Sequence, residues 1–213
     1  MSATSDEPIK MKKTKHNIII SLIALLALGV GIAANSTLNS SKPANNVDAR
    51  PLPPFSLLDH HGNAFTNEQL QGKWSLVFFG YTHCPDICPS TLQNMAFMEQ
   101  LLAEEAARKD LQIVFISIDP QRDTVKHLNQ YIPYFSKNFI GLTGEQNEIN
   151  KLTKSIGILS ESGPVNKETG HYDVTHSGAI IILNKKGEFL GLMSPPHEPK
   201  QMAIDYLTIH ASM

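Results

Sequence analysis

The sequence is poor in cysteine, in net charge and in nucleotide-binding patterns. Only two cysteines occur in 213 residues, and 18 basic residues stand against 20 acidic ones. Without a basic excess, the chain lacks the electrostatic footprint of a nucleic-acid-binding protein. It also contains neither a Walker-type phosphate loop nor a dinucleotide-binding glycine pattern. These absences leave the two cysteines as the most informative chemistry.

A second absence is local, because no Lys, Arg, Asp or Glu lies between Lys15 and Lys42. Residues 17–34 form an apolar run close to the ~20 residues of a spanning helix. The four lysines within residues 1–16 predict a cytoplasmic N-terminus and export of the remainder. We therefore predict a single-pass anchor over 17–34 in the inner (cytoplasmic) membrane, with the following domain in the periplasm. A cleaved signal peptide is the alternative, because small residues end the run.

The remainder of the chain divides into a linker and one folded domain. Residues 35–54 are rich in Ser, Asn, Ala and Pro and are typical of a linker, and residues 55–213 form the domain. A hairpin is predicted over 55–66, with strands at 74–81, 111–119, 139–142, 177–183 and 188–193. One helix is predicted to follow the cysteines and to end near Arg108. Further helices are predicted over 124–135, 145–156 and 200–210. This alternation predicts an α/β fold with a central sheet flanked by helices.

Cys84 and Cys88 follow a buried apolar strand and stand where a helix begins, in the segment HCPDICP. The N-terminal end of a helix favours thiolate, so the pair could exchange disulfides or bind a soft metal. A structural disulfide would close so short a loop that it would contribute only about 2 kcal/mol. Two thiolates alone do not complete a four-ligand zinc site. Two thiolates with one imidazole suit copper, especially Cu(I).

His176 is the candidate for that imidazole, because it precedes an apolar strand predicted to lie beside the cysteine-bearing strand. The chain has nine histidines, so spacing alone leaves His176 open as an ordinary surface residue. Met95 and Met98, at helical spacing, are predicted to be core residues rather than a methionine copper site. His60, His61 and His197 are predicted to be exposed loop residues.

Four ordered segments resemble the Sco (SenC/PrrC) family. They are FFGYTHCPDICP, SIDPQRDT, FIGLTG and DVTHSGAIIILN, and the resemblance covers roughly residues 52–210 behind a matching N-terminal anchor. The resemblance implies a thioredoxin-like fold and a copper protein that assists assembly of cytochrome c oxidase. It implies Cys84, Cys88 and His176 as ligands of copper, foremost as Cu(I) and also as Cu(II). Asp86 matches an acidic position of the family, for which helix N-capping is the simpler role.

The resemblance also implies a metallochaperone rather than an enzyme. Its partners would be cytochrome c oxidase subunit II and other copper chaperones, with no role for nucleic acid. The alternative is a thiol–disulfide oxidoreductase that keeps the cysteines of an exported target, such as oxidase subunit II, reduced through Cys84 and Cys88. A peroxide-detoxifying or signalling role on the same scaffold has less support.

Overall fold

Two apolar strands at the centre of the sheet organise the fold. Strand β4 (Trp74–Gly80) pairs in parallel with β5 (Leu111–Ser117), and Phe78 lies opposite Phe115. Every residue of β4 is buried, as expected for a strand covered on both faces. Both strands were predicted from their apolar runs and are confirmed.

The structure is a computed structural model that describes residues 49–158, 160–163 and 174–212. The other strands are β1 (Arg50–Pro51), β2 (Ser56–Asp59), β3 (Ala64–Thr66), β6 (Ile140–Thr143), β7 (Ser160–Ser162), β8 (Val174–His176), β9 (Ile180–Leu183) and β10 (Glu188–Met193). The α-helices are α1 (Ile87–Leu101), α2 (Val125–Tyr131), α3 (Gln146–Ile156) and α4 (Pro199–Ala211). Short 3-10 helices cover Asn67–Leu70, Ala106–Asp110 and Ile132–Tyr134.

The main sheet is mixed and has the strand order β1-β10-β9-β4-β5-β6-β2-β3. Strands β4, β5 and β6 are parallel, and the strands on either side of them are antiparallel. Strands β7 and β8 form a separate two-stranded sheet. The predicted α/β class, with a mixed sheet and flanking helices, is confirmed.

Helices cover the two faces of this sheet. On one face, Leu152 and Ile156 of α3 share an apolar cluster with Val77 and Phe79 of β4. Helices α1 and α4 pack together, and the hydroxyl of Tyr206 in α4 donates to the Ala107 carbonyl at 2.8 Å. Met95 and Met98 of α1 are fully buried, which confirms their predicted place in the core.

The main differences from the predicted elements lie at boundaries. Helix α1 ends at Leu101 rather than near Arg108. The chain turns there, and Arg108 folds back to form an ion pair with the buried Glu99 and to donate to the Leu111 carbonyl at 3.2 Å. The strand predicted over 177–183 begins only at Ile180. The residues before it, 174–176, form a separate strand that pairs with β7.

The sheet also begins earlier than predicted. Arg50 lies in the segment predicted as a linker, yet it pairs with Phe189 of β10, and its guanidinium carbon lies 4.8 Å from the centre of the Phe189 ring. The predicted anchor over 17–34 falls outside the described residues. Within the described part of the chain, no helix has the length and apolar character needed to cross a membrane.

Candidate metal centre

Cys84 and Cys88 occupy the connection between β4 and α1. Cys84 lies in the turn, where its amide donates to the Tyr81 carbonyl at 3.3 Å, and Cys88 lies in the first turn of the helix. The structure holds both as buried thiols. A parallel strand that leads directly into a helix therefore brings the two predicted sulfur ligands to one end of the sheet.

The two sulfurs lie in unequal surroundings. The amide of Cys88 donates to Sγ of Cys84 at 3.4 Å, so the start of the helix directs an N–H group towards one sulfur. Cys88 itself is fully buried, and this burial raises the pKa of its thiol. Metal binding at Cys88 therefore has to displace a firmly held proton.

Gly80 makes room for the Cys88 sulfur. A Cβ atom at this position would lie 3.0 Å from Sγ of Cys88 and 2.9 Å from the ring of Phe115. Real Cβ atoms almost never approach other atoms this closely. The last residue of β4 must therefore lack a side chain if α1 is to begin where it does.

Asp86, between the cysteines, stands at the N-cap position of α1 but does not cap the helix with its side chain. Its carboxylate instead accepts a hydrogen bond from the Ser90 hydroxyl at 3.3 Å. The suggestion that Asp86 is there for N-capping is wrong, because the carboxylate faces the side of the first turn rather than its amides. The carboxylate is exposed beside the thiols.

His176, the predicted imidazole ligand, ends strand β8, where its backbone lies opposite Ser160. The His176 side chain is outside what the structure describes. Two residues later, Gly178 passes close to Ile87, and a Cβ atom on this glycine would lie 3.9 Å from Cγ1 of Ile87. The backbone that follows His176 therefore passes beside Ile87, one of the three residues between the two cysteines.

His197 holds this backbone in place. Its Nε2–H donates to the Gly178 carbonyl at 2.7 Å, and the ring is buried. His60 is also buried, whereas His61 is exposed. The prediction that His60 and His197 are exposed loop residues is wrong, since both rings are buried. Each ring is also hydrogen-bonded to backbone, His60 to the Gly141 amide and His197 to the Gly178 carbonyl.

A polar cluster beside the cysteines was not predicted as a unit. Asp123 is fully buried and accepts hydrogen bonds from the Thr82 hydroxyl at 2.5 Å and the Ser117 hydroxyl at 2.6 Å. His127 and His83 both lie against the same Thr82 hydroxyl, at 2.9 and 3.1 Å. The four-residue spacing between Asp123 and His127 is the signal that could have shown this shared face.

Tyr131 continues that face and borders the thiols. Its ring packs against Phe115 and His127, with centroids 6.3 and 6.4 Å away. Among the described residues, the buried hydroxyl has no hydrogen-bond partner. Burial raises the pKa of Tyr131. The thiols therefore share a largely apolar wall with a neutral phenol.

This donor set fits a soft metal ion better than a hard one. Two sulfur donors four residues apart suit copper and leave too few donors for a closed four-ligand zinc site. Copper, when bound, would be held by Cys84 and Cys88.

Comparisons with known proteins place this chain beside copper-binding proteins. The SCO1/SenC family profile matches residues 44–210. A putative copper-binding protein of Stutzerimonas stutzeri is 34% identical over 183 residues, which is 85% of this chain and 88% of that protein. The human mitochondrial SCO2 homolog is 38% identical over 135 residues, covering 63% of this chain and 50% of the human protein. The chain thus spans about half the length of that mitochondrial relative.

Solved structures show the same fold with metal present. The crystal structure of yeast Sco1 with copper bound has a TM-score of 0.71 and 30% sequence identity. The alignment covers 77% of this chain and 90% of the yeast chain.

Proposed function

Because this chain belongs to the SCO1/SenC family, we propose that it is a copper metallochaperone that binds copper through Cys84, Cys88 and His176. The observation that carries the proposal is the meeting of both sulfurs at the start of α1, where the Cys88 amide donates to Sγ of Cys84. The recipient would be the dinuclear copper centre of cytochrome c oxidase subunit II, with another copper chaperone as the donor.

The chemistry of transfer follows from the number of donors. Thiolates select Cu(I), and two thiolates with one imidazole leave the ion three-coordinate. An incoming thiolate of the recipient can then bind before a resident ligand departs. Since Cys84 lies in a turn and Cys88 in a helix, Cys84 would be the first sulfur to release the ion.

A thiol–disulfide oxidoreductase is the second candidate, and the unequal burial of the thiols favours it. Cys84 would attack a disulfide of the target and release one target thiol, and Cys88 would then attack the mixed disulfide and release the second. The products are an intramolecular Cys84–Cys88 disulfide and a reduced target. This cycle gives His176 no required part.

We also propose that residues 17–34 anchor the chain in the inner membrane and that the folded domain faces the periplasm. The support is the uncharged apolar run behind four lysines. Transfer to an exported copper centre requires the metal-binding domain on that side of the membrane.

Copper titration separates the two candidates. Full-length chain in detergent, with reduced thiols, is titrated with Cu(I) against a chelator of known affinity. We expect one ion per chain, and a loss of at least tenfold in affinity for Cys84→Ser, Cys88→Ser and His176→Ala, because each removes one of three donors. His61→Ala, which removes an exposed histidine outside the site, is the matched control.

The result that would contradict the chaperone proposal is wild-type copper affinity in His176→Ala together with full dithiol–disulfide exchange. In that case the oxidoreductase assignment would hold. A strain lacking the protein offers a cellular check, since added copper should restore oxidase activity to it if the defect lies in copper supply.

A further inference from the structure

Three side chains next to the cysteines converge without involving either sulfur. His83 precedes Cys84, Asp123 lies just before α2, and His127 lies in the first turn of that helix. One ring nitrogen from each histidine and one carboxylate oxygen all lie within 4.8 Å of one another. The fold thus brings together two imidazoles and a carboxylate from two distant parts of the chain.

We propose that His83, Asp123 and His127 form a second metal site, for a divalent first-row transition-metal ion with Cu²⁺ bound most tightly. Imidazole and carboxylate donors suit Cu²⁺, Zn²⁺, Ni²⁺ and Fe²⁺, and affinities along this series peak at Cu²⁺. This site shares no ligand with the proposed thiol site and goes beyond the proposed function.

The spacing of the donors is close to what such an ion requires. Nδ1 of His83 lies 3.7 Å from Oδ1 of Asp123. Neighbouring donors at about 2.0 Å lie roughly 3.3 Å apart around a tetrahedral ion and roughly 2.8 Å apart in the square-planar arrangement that Cu²⁺ prefers, so this pair has to approach by less than about 1 Å. The exposed His83 side chain can make that movement and also leaves the site open to solvent.

The Thr82 hydroxyl marks the point at which the donors converge. Its oxygen lies 2.5 Å from Oδ1 of Asp123, 2.9 Å from Nε2 of His127 and 3.1 Å from Nδ1 of His83. The hydroxyl has one proton, which it donates to Asp123, so both imidazoles donate to its oxygen. A change of tautomer in each ring would turn these two nitrogens into metal donors.

Asp123 is held in the orientation that a ligand needs. The Ser117 hydroxyl and the Thr82 amide both donate to Oδ2, at 2.6 and 3.0 Å. These contacts direct Oδ1 towards the imidazoles. His127 is supported in turn by its stacking against Tyr131 and against His83, whose ring centroid lies 5.6 Å away. Supporting contacts of this kind commonly orient metal ligands.

The test uses the full-length chain with Cys84→Ser, Cys88→Ser and His176→Ala combined, so that the proposed thiol site is absent. Cu²⁺ alone is titrated while its electron paramagnetic resonance spectrum is recorded. We expect one bound ion with nitrogen couplings. Adding His83→Ala or His127→Phe should each weaken binding at least tenfold and change those couplings, because each removes one nitrogen donor.

Both variants should leave the fold intact. Phe at position 127 keeps an aromatic ring against Tyr131, and the His83 side chain is 44% exposed. His61→Ala added to the same background is the control and should bind as the parent does. Absence of Cu²⁺ binding by the parent, or parental binding in either His83→Ala or His127→Phe, would overturn the site. Neither result bears on the thiol site, which this background lacks.

Discussion

At the scale of single residues, the candidate site depends on a missing side chain as much as on its sulfurs. Gly80 ends β4 directly beneath the first turn of α1. The space that its side chain would fill is occupied by Sγ of Cys88 and by the rings of Phe78 and Phe115. Packing around Cys88 is therefore close on every side, as protein interiors generally are.

Gly80→Ala should reduce stability and disturb the thiol site. The added methyl group would lie 2.9 Å from the Phe115 ring and 3.0 Å from Sγ of Cys88, so one of them must move. Overpacking of this kind costs about 1–3 kcal/mol. Urea denaturation measures the loss, and copper titration tests whether Cys88 has moved. Gly191→Ala is the matched control, because no atom beyond its chain neighbours lies within 4 Å of the added Cβ, so this variant should lose no stability.

A second prediction at this scale concerns His60 and pH. Burial lowers the pKa of His60 below its ordinary value of 6.5, and its Nδ1 accepts a hydrogen bond from the Gly141 amide at 3.1 Å. The folded chain therefore binds this proton less readily than the unfolded chain. The contribution of neutral His60 to the free energy of unfolding is fully present above pH 6.5. It is lost as the pH falls from there towards the lowered pKa of His60 in the folded chain.

Thermal unfolding between pH 8 and pH 5 measures this effect. We expect the melting temperature to fall with pH in the wild type and to fall less steeply in His60→Asn. An Asn oxygen can accept from the Gly141 amide but does not titrate in this range. Equal slopes in the two proteins would assign the acid sensitivity to other groups.

At the scale of secondary-structure elements, the connection after β8 follows His176, the residue proposed as the third ligand. Its backbone passes Ile87 at Gly178 and is fixed there by the buried ring of His197. The apolar pattern of residues 177–183 predicted a strand that leads directly from His176. The chain instead bends between β8 and β9, because His176 pairs with Ser160 while Ile180 pairs with Phe78.

His197→Ala should weaken copper binding without removing a donor. It breaks the hydrogen bond to Gly178, and one such bond contributes about 1 kcal/mol. If that energy fixes the segment that bears His176, copper affinity should fall about fivefold, which is what 1 kcal/mol corresponds to. Cu(I) competition titration measures the change, with His61→Ala as the control. A fall in thermal stability with unchanged copper affinity would show that His197 supports the fold alone.

Helix α2 shows which features of an element local sequence patterns predict and which they do not. The helix predicted over 124–135 begins at Val125, and the Thr124 side chain caps it by accepting from the His127 amide at 3.2 Å. The function of the helix face could not be predicted in the same way. His127 acquires its neighbours only because β4 and β5 are paired, which brings Thr82 to the end of the same sheet.

At the scale of the whole molecule, the protein is expected to be divided between a membrane anchor at residues 17–34 and a folded domain that follows the linker, at residues 55–213. This division is a proposal from the sequence. Charge asymmetry is its basis, since lysines precede an uncharged apolar run and a mildly acidic domain follows.

Cell fractionation and protease protection test the anchor. We expect the chain in the membrane fraction, with the folded domain digested when protease is added to spheroplasts. A variant lacking residues 18–34 should stay in the cytoplasm, because the export signal is gone. A mature chain that starts near residue 35 in the soluble periplasmic fraction would instead establish the cleaved signal peptide.

The sequence by itself determined the α/β class, the two buried central strands and the placing of two cysteines together after one of them. Each of these depends on short-range patterns: alternation of apolar runs, and two cysteines within one helical turn. Its resemblance to the Sco family also gave the family, which the matching profile confirms. His176 as the third ligand stays a prediction.

Only the tertiary structure decided which residues surround those sulfurs. Thr82 and Asp123 are 41 positions apart in the chain, and His197 and Gly178 are 19 apart, yet each pair shares a hydrogen bond. Contacts between distant residues also explain three other features. They are the burial of His60, the close packing of Gly80 against Cys88 and the His83–Asp123–His127 cluster. Contacts between distant residues depend on strand order and register, which local spacing does not encode.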